Sequence, residues 1–203
     1  MEAYKTILTK YLPRDAVDPI LIWLREYRIH LRISKARSSK LGDYRSPHKG
    51  KGHQITVNHN LNPYAFLITL VHEIAHQQVW VKYGNRVKAH GKEWKDTYRQ
   101  LMISFLDSGI FPDDVDEALK KYMSKSYASS GADLNLSRVL QQYDKDPCLT
   151  LEEIEEGSTF RIPNGKTFVK GSLNRKRYRC TRTDNNRIYL VSALARVELL
   201  KSP

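Results

Sequence analysis

In "LVHEIAHQQVW", residues 70–80, two histidines stand four apart with a glutamate directly after the first. On a helix, His72 and His76 project from one face a turn apart, so two imidazole nitrogens can reach a single ion. Glu73 lies about 100° round the axis from His72. It can approach a water on that ion without ligating the ion itself. This H-E-x-x-H spacing is the one that zinc peptidases use, with the glutamate as general base. Zinc brings the pKa of its water down to about 7, and a nearby carboxylate can then take the proton as the water attacks a polarised carbonyl. The competing reading is a buried helix whose histidines bond backbone carbonyls. Two imidazoles and a carboxylate in so apolar a run would be costly to bury without partners, which favours the metal.

A third ligand must come from elsewhere. His90, in "KAHGKEW", follows His76 after thirteen intervening residues, and Gly84 gives the chain a place to turn back. Glu93, one helical turn from His90, is the rival third ligand. His30, His48, His53 and His59 have no comparable spacing and read as surface or strand residues.

The elements that must position these groups are legible on both sides of the motif. Asn62 suits a helix N-cap, Pro63 the first helical position and Gly84 the position past the end, which predicts a helix of about 20 residues between them. Its first half, Phe66, Leu67, Ile68, Leu70 and Val71, is apolar nearly all round, as in a helix covered on more than one side. Upstream, Val17, Ile20, Leu21 and Leu24 are spaced as on a helix, and "IHLRIS" alternates as a half-buried strand does. "LGDYRS" and "HQITVNHN" read as two further strands about the turn "PHKGKG", together a small, largely antiparallel sheet. "HGKEWKDTYRQLMISF" carries a helical stripe of Trp94, Tyr98, Leu101, Met102 and Phe105. "DDVDEALKKYM" is acidic at its start and basic at its end, as the helix dipole favours.

"LVHEIAH" followed by "AHGKEWKDTYRQL" resembles the catalytic core of SprT-like metalloprotease domains, the Spartan-related zinc metallopeptidases among them. The strands "LRISKARSSKLGDYRS" and "HQITVNHNLN" are similar to the pair that precedes the motif in that family, so the resemblance covers roughly residues 20–105. It implies one Zn2+ held by His72, His76 and His90, with Glu73 as general base. It also implies an α+β, zincin-like fold and, by analogy, a protease acting on proteins associated with or crosslinked to DNA. Many bacterial members end in a four-cysteine zinc ribbon. Here the corresponding region holds Cys180 alone, with Cys148 far upstream, so no such ribbon forms.

The rest of the sequence bounds the setting. The chain has 203 residues, a formal charge of +12 and two cysteines. That composition is of a globular protein without a disulfide framework, expected in the cytosol and, in a bacterium, at the nucleoid. No run reaches the roughly 20 apolar residues of a membrane helix, so no membrane partner is expected, and a monomer is favoured. The polar stretch "SKSYASSGAD" reads as a linker and "LSRVLQQY" as a short helix. We divide the chain into a zinc protease domain at 1–125, a linker at 126–147 and a small basic β-rich module at 148–203.

Residues 160–203 hold eleven Lys or Arg against two acidic residues, a balance of +9. If "NRKRYRCTR" is a strand, Arg175, Arg177 and Arg179 share one face, and Lys176, Tyr178 and Cys180 the other. A cationic row of this kind suits a phosphate backbone, and Tyr178 or Tyr189 suits base stacking, so DNA is the expected partner, without sequence preference. Arg37, Lys40, Arg45, Lys49 and Lys51 form a second basic stretch. A different class of reading is a nucleic-acid-binding protein whose zinc domain is structural or regulatory. Glu73 separates the two, because a structural zinc site has no need of a general base.

Overall fold

The structure is a computed structural model that describes residues 2–37, 39–124 and 133–200. Its contacts divide the chain into two compact units, residues 1–144 and 145–203. The stretch 125–132, which takes in the first seven residues of the expected linker, lies outside the described residues.

In the first unit α1 (Glu2–Leu8) and a 3-10 turn (Arg14–Ala16) lead into α2 (Val17–Glu26). Three strands follow, β1 (Ile29–Ser34), β2 (Gly42–Arg45) and β3 (His53–Asn58), and then four helices: α3 (Pro63–Tyr83), α4 (Lys92–Met102), α5 (Asp113–Ser124) and α6 (Leu134–Gln141). The helix α1 carries no signal that our sequence reading used. Its last residue, Leu8, is buried in the same core as Val17, Ile20 and Leu24 of α2.

The sheet corrects one expectation. Its order is β1-β3-β2, and while β2 pairs with β3 antiparallel, β1 pairs with β3 in parallel over six residues. The sheet is therefore mixed rather than largely antiparallel. The physical reason is burial: β3 supplies Ile55, Thr56, Val57 and Asn58, all buried, and takes the centre with a neighbour on each side. Parallel pairing needs a long connection, and residues 35–52, which include β2 itself, provide it. Asn58 pins that connection. Its side-chain amide donates to the carbonyls of Arg37 (3.2 Å) and Lys40 (3.0 Å), and its oxygen accepts from Arg37 Nε at 2.8 Å.

The helix α3 runs through the middle of the unit. Phe66, Leu67, Leu70, Val71, Ile74 and Ala75 are fully buried, which stabilises the fold by about 1.5–3 kcal/mol for each of the larger side chains relative to exposure. Both ends form as the sequence predicts. The Asn62 side chain accepts from the Ala65 N–H, and Gly84, at φ 59°, closes the helix with its N–H on the Trp80 carbonyl. Asn62 also donates to the Leu140 carbonyl (2.7 Å) and to the Asp144 carboxylate (2.8 Å), so one capping residue ties α6 to the start of α3.

The second unit is built on a five-stranded antiparallel sheet, β4 (Thr159–Arg161), β5 (Thr167–Asn174), β6 (Arg177–Arg182), β7 (Ile188–Ser192) and β8 (Glu198–Leu199), in the order β7-β6-β5-β4-β8. Leu151, Phe160, Phe168 and Cys180 form its small core. A bulge interrupts β5 between Lys170 and Leu173, and Gly171 is obligatory there: a β-carbon would run into the Arg179 carbonyl oxygen. Among the described residues, no helix is long and apolar enough to cross a membrane.

Candidate metal centre

Helix spacing alone brings His72 and His76 together, with Nε2 atoms 3.2 Å apart. The third imidazole arrives from the loop after Gly84. His90 adopts φ 57°, a left-handed conformation that histidine tolerates better than most residues, just before α4 begins. Its Nε2 lies 2.9 Å from that of His76 and 3.1 Å from that of His72. Trp94, fully buried one turn into α4, backs all three rings, with centroids at 4.5 Å from His72, 5.3 Å from His76 and 4.8 Å from His90. The Trp94 ring also stacks on Tyr98, with centroids 5.1 Å apart.

These three residues form the one group among the described residues whose atoms could hold a metal ion. The donor set fits zinc. A tetrahedral ion with Zn–N bonds of about 2.0–2.1 Å spaces its nitrogens by about 3.3 Å, close to the three separations observed. The imidazoles are also kept neutral, as ligands must be. Burial pushes His72 down to about 3 and His76 to about 4, helped by the neighbouring imidazoles, and burial followed by Lys95 lowers His90. Glu93 stands outside the group, with one carboxylate oxygen 3.3 Å from where a β-carbon on Gly91 would lie.

Glu73 is 7% exposed and turns toward β2. Gly42 makes room for it: a β-carbon there would lie 2.6 Å from Glu73 Oε1 and 2.8 Å from Thr69 Cγ2. The Tyr44 backbone N–H donates to the carboxylate. Burial, then the charge of Asp43, pushes the Glu73 pKa up to about 7. A cation on the histidines would draw it back down. The three histidines, Glu73 and residues 39–44 together line a cleft of about 490 Å³.

The basic residues singled out from the sequence fall into different surroundings. Arg37 is turned inward, its guanidinium on Asn58 and, at 3.1 Å, on Thr56. Lys40 and Arg45 both pair with Asp43, at 2.6 and 3.0 Å. Burial acts to raise the Asp43 carboxyl, but those two partners outweigh it and hold the group below its usual range. Lys49 and Lys51 are exposed in the loop between β2 and β3.

In the second unit Arg177 and Arg179 do share the exposed face of β6. Arg175 and Lys176, exposed, instead form the turn between β5 and β6, with Arg175 at φ 59°. Tyr178 is half-buried, and the ammonium of Lys170 sits 4.0 Å from its ring centroid. Tyr189 is exposed and meets Phe168 edge-on. Cys148 and Cys180 are both free thiols. Sequence reasoning missed Gly42, Tyr44 and Asp43 as parts of the site. The signal was weak: a glycine opening a predicted strand marks a close approach by another group, here Glu73.

An α+β scaffold that presents a helix-borne histidine pair, a third histidine from the next loop and a carboxylate beside them defines a candidate three-histidine metal centre. Residues 15–115 match the sequence model of the SprT-like family, which makes this part of the chain a SprT-like domain. Neither the curated proteins nor the solved structures contain a match to it.

Proposed function

We propose that this protein is a zinc-dependent endopeptidase that cuts proteins held on DNA. The observation that carries the reading is the convergence of three neutral imidazoles beside a buried carboxylate, in a cleft with an edge strand for one wall. His72, His76 and His90 would hold the ion. When bound, zinc supplies Lewis acidity toward a carbonyl oxygen and makes water acidic enough to ionise near neutral pH. Strand β2 lies at the sheet edge and lines the cleft, so its main chain, apart from the Tyr44 N–H that Glu73 holds, is available to pair with an extended peptide. Glu73, steadied by the Tyr44 N–H, accepts a proton from the attacking water and delivers it to the departing amine nitrogen. The peptide C–N bond breaks, the carbonyl carbon gains the hydroxyl, and atoms and charge balance. Cleavage of a DNA-bound basic protein by the zinc-loaded parent chain, absent in Glu73→Gln, is the test. Its failure with every substrate would favour a binding protein with a structural zinc.

The DNA part of the proposal rests on the +12 charge and on the exposed arginines of the second unit. Phosphate contacts release counterions, so affinity should fall with salt by about 0.9 log units per contact per log unit of salt on duplex, or about 0.7 on single strands. Changing Arg175, Arg177 and Arg179 together to Ser should weaken binding to unrelated sequences alike and flatten that slope. Zinc content should stay unchanged, because the histidines belong to the other unit. Anisotropy titrations over a salt series read both quantities. An unaltered slope would assign the row another role.

A further inference from the structure

The groove along α3 continues past the histidines. The strand β2 lies beside α3, with Gly42 against Thr69 and Glu73, and Tyr44 further along. Beyond His76 the groove opens into a second hollow of about 300 Å³, walled in part by Tyr44, Val79, Trp80 and Val87 and in part by the polar Ser46, Asn85 and Lys88. Tyr44 and His76 line both spaces, so the hollow adjoins the metal centre directly. Val79 and Trp80 follow His76 by three and four positions and fall on the same helical face, one turn on. The aromatic walls are held in place by one imidazole: the Tyr44 hydroxyl lies 2.9 Å from His53 Nδ1, and Trp80 meets the His53 ring edge-on at 5.4 Å. Val79 is buried, Val87 half-buried, and Lys88 exposed. None of the lining residues is acidic.

We propose that this hollow selects the substrate side chain next to the bond being cut, accepting a bulky apolar residue and turning away Lys and Arg. The inference rests on the peptidase reading above. A peptide extended along β2 advances about 3.4 Å per residue, so with a carbonyl at the histidines a flanking side chain falls beyond His76, into the hollow. An isobutyl or phenyl group there leaves water for Val87 and the Trp80 ring. An ammonium or guanidinium would lose hydration beside Lys88, with no carboxylate to receive it. On a basic, DNA-bound protein the cuts would therefore fall beside apolar residues and not within Lys/Arg runs.

The test uses binding rather than turnover. Three hydroxamates share one metal-binding group and differ in a single substituent, hydrogen, isobutyl or 4-aminobutyl, and calorimetry measures each on the zinc-loaded full chain. The isobutyl compound should bind about tenfold tighter than the unsubstituted one, the lower end of what burying a leucine-sized group gives. The aminobutyl compound should bind no tighter than the unsubstituted one. Val87→Trp, which fills the hollow, should remove the isobutyl advantage. Lys88→Glu, at an exposed position where folding is not at stake, should improve the aminobutyl compound severalfold at low salt. Equal affinities for all three compounds would overturn the pocket while leaving the metal centre standing. No binding by any of them at full zinc occupancy would overturn both.

Discussion

Glu73→Gln should retain zinc and fold and lose proteolysis by about 10²–10⁴-fold, the usual cost of removing a general base. The amide is nearly isosteric with the acid, so the space beside Gly42 stays filled. It has no carboxylate with which to take up the water's proton, the step that the proposed function gives to Glu73. Burial and Asp43 raise this carboxyl, and a cation on the neighbouring histidines draws it back down. Circular dichroism and zinc analysis establish that the variant is intact; initial rates on a DNA-bound basic protein give the loss. Equal rates for variant and parent would remove Glu73 from the mechanism.

His76→Ala should abolish stoichiometric zinc. Its Nε2 is 3.2 Å from that of His72 and 2.9 Å from that of His90, so its removal leaves two imidazoles and no third protein ligand. His90→Ala should behave alike, whereas Glu93→Ala should keep the metal. Zinc content of each purified variant, measured by elemental analysis, separates these outcomes. Metal lost from Glu93→Ala and kept in His90→Ala would reverse the assignment of the third ligand.

Local chemistry made much of this site legible before any coordinates. Asn62, Pro63 and Gly84 delimit α3 because capping depends on residues adjacent in sequence, and the phase of His72 and His76 follows from helix periodicity alone. The placement of His90 was readable as a possibility, since a glycine-ended helix and a short loop permit the return. Its left-handed backbone and the Trp94 platform were not. The parallel pairing of β1 with β3 escaped because alternation reports which face of a strand is buried, not which neighbour it takes. That choice is made by the burial of β3 and by the bonds of Asn58 to the 35–41 segment. The arginine row failed at one position for a similar reason. Strand alternation assumes the strand continues, but Asn174–Arg177 is where β5 turns into β6, so Arg175 leaves the face that Arg177 and Arg179 share. Likewise, Lys40 and Arg45 read as free cations until Asp43, between them in sequence, is seen to pair with both.

X-ray absorption on the zinc-loaded protein tests the central claim most directly, because catalytic and structural zinc differ in what fills the fourth position. The account predicts one zinc per chain with three imidazole nitrogens and one light-atom ligand that a hydroxamate displaces. A fourth protein ligand that no hydroxamate displaces, or a cysteine sulfur in the coordination shell, would contradict it.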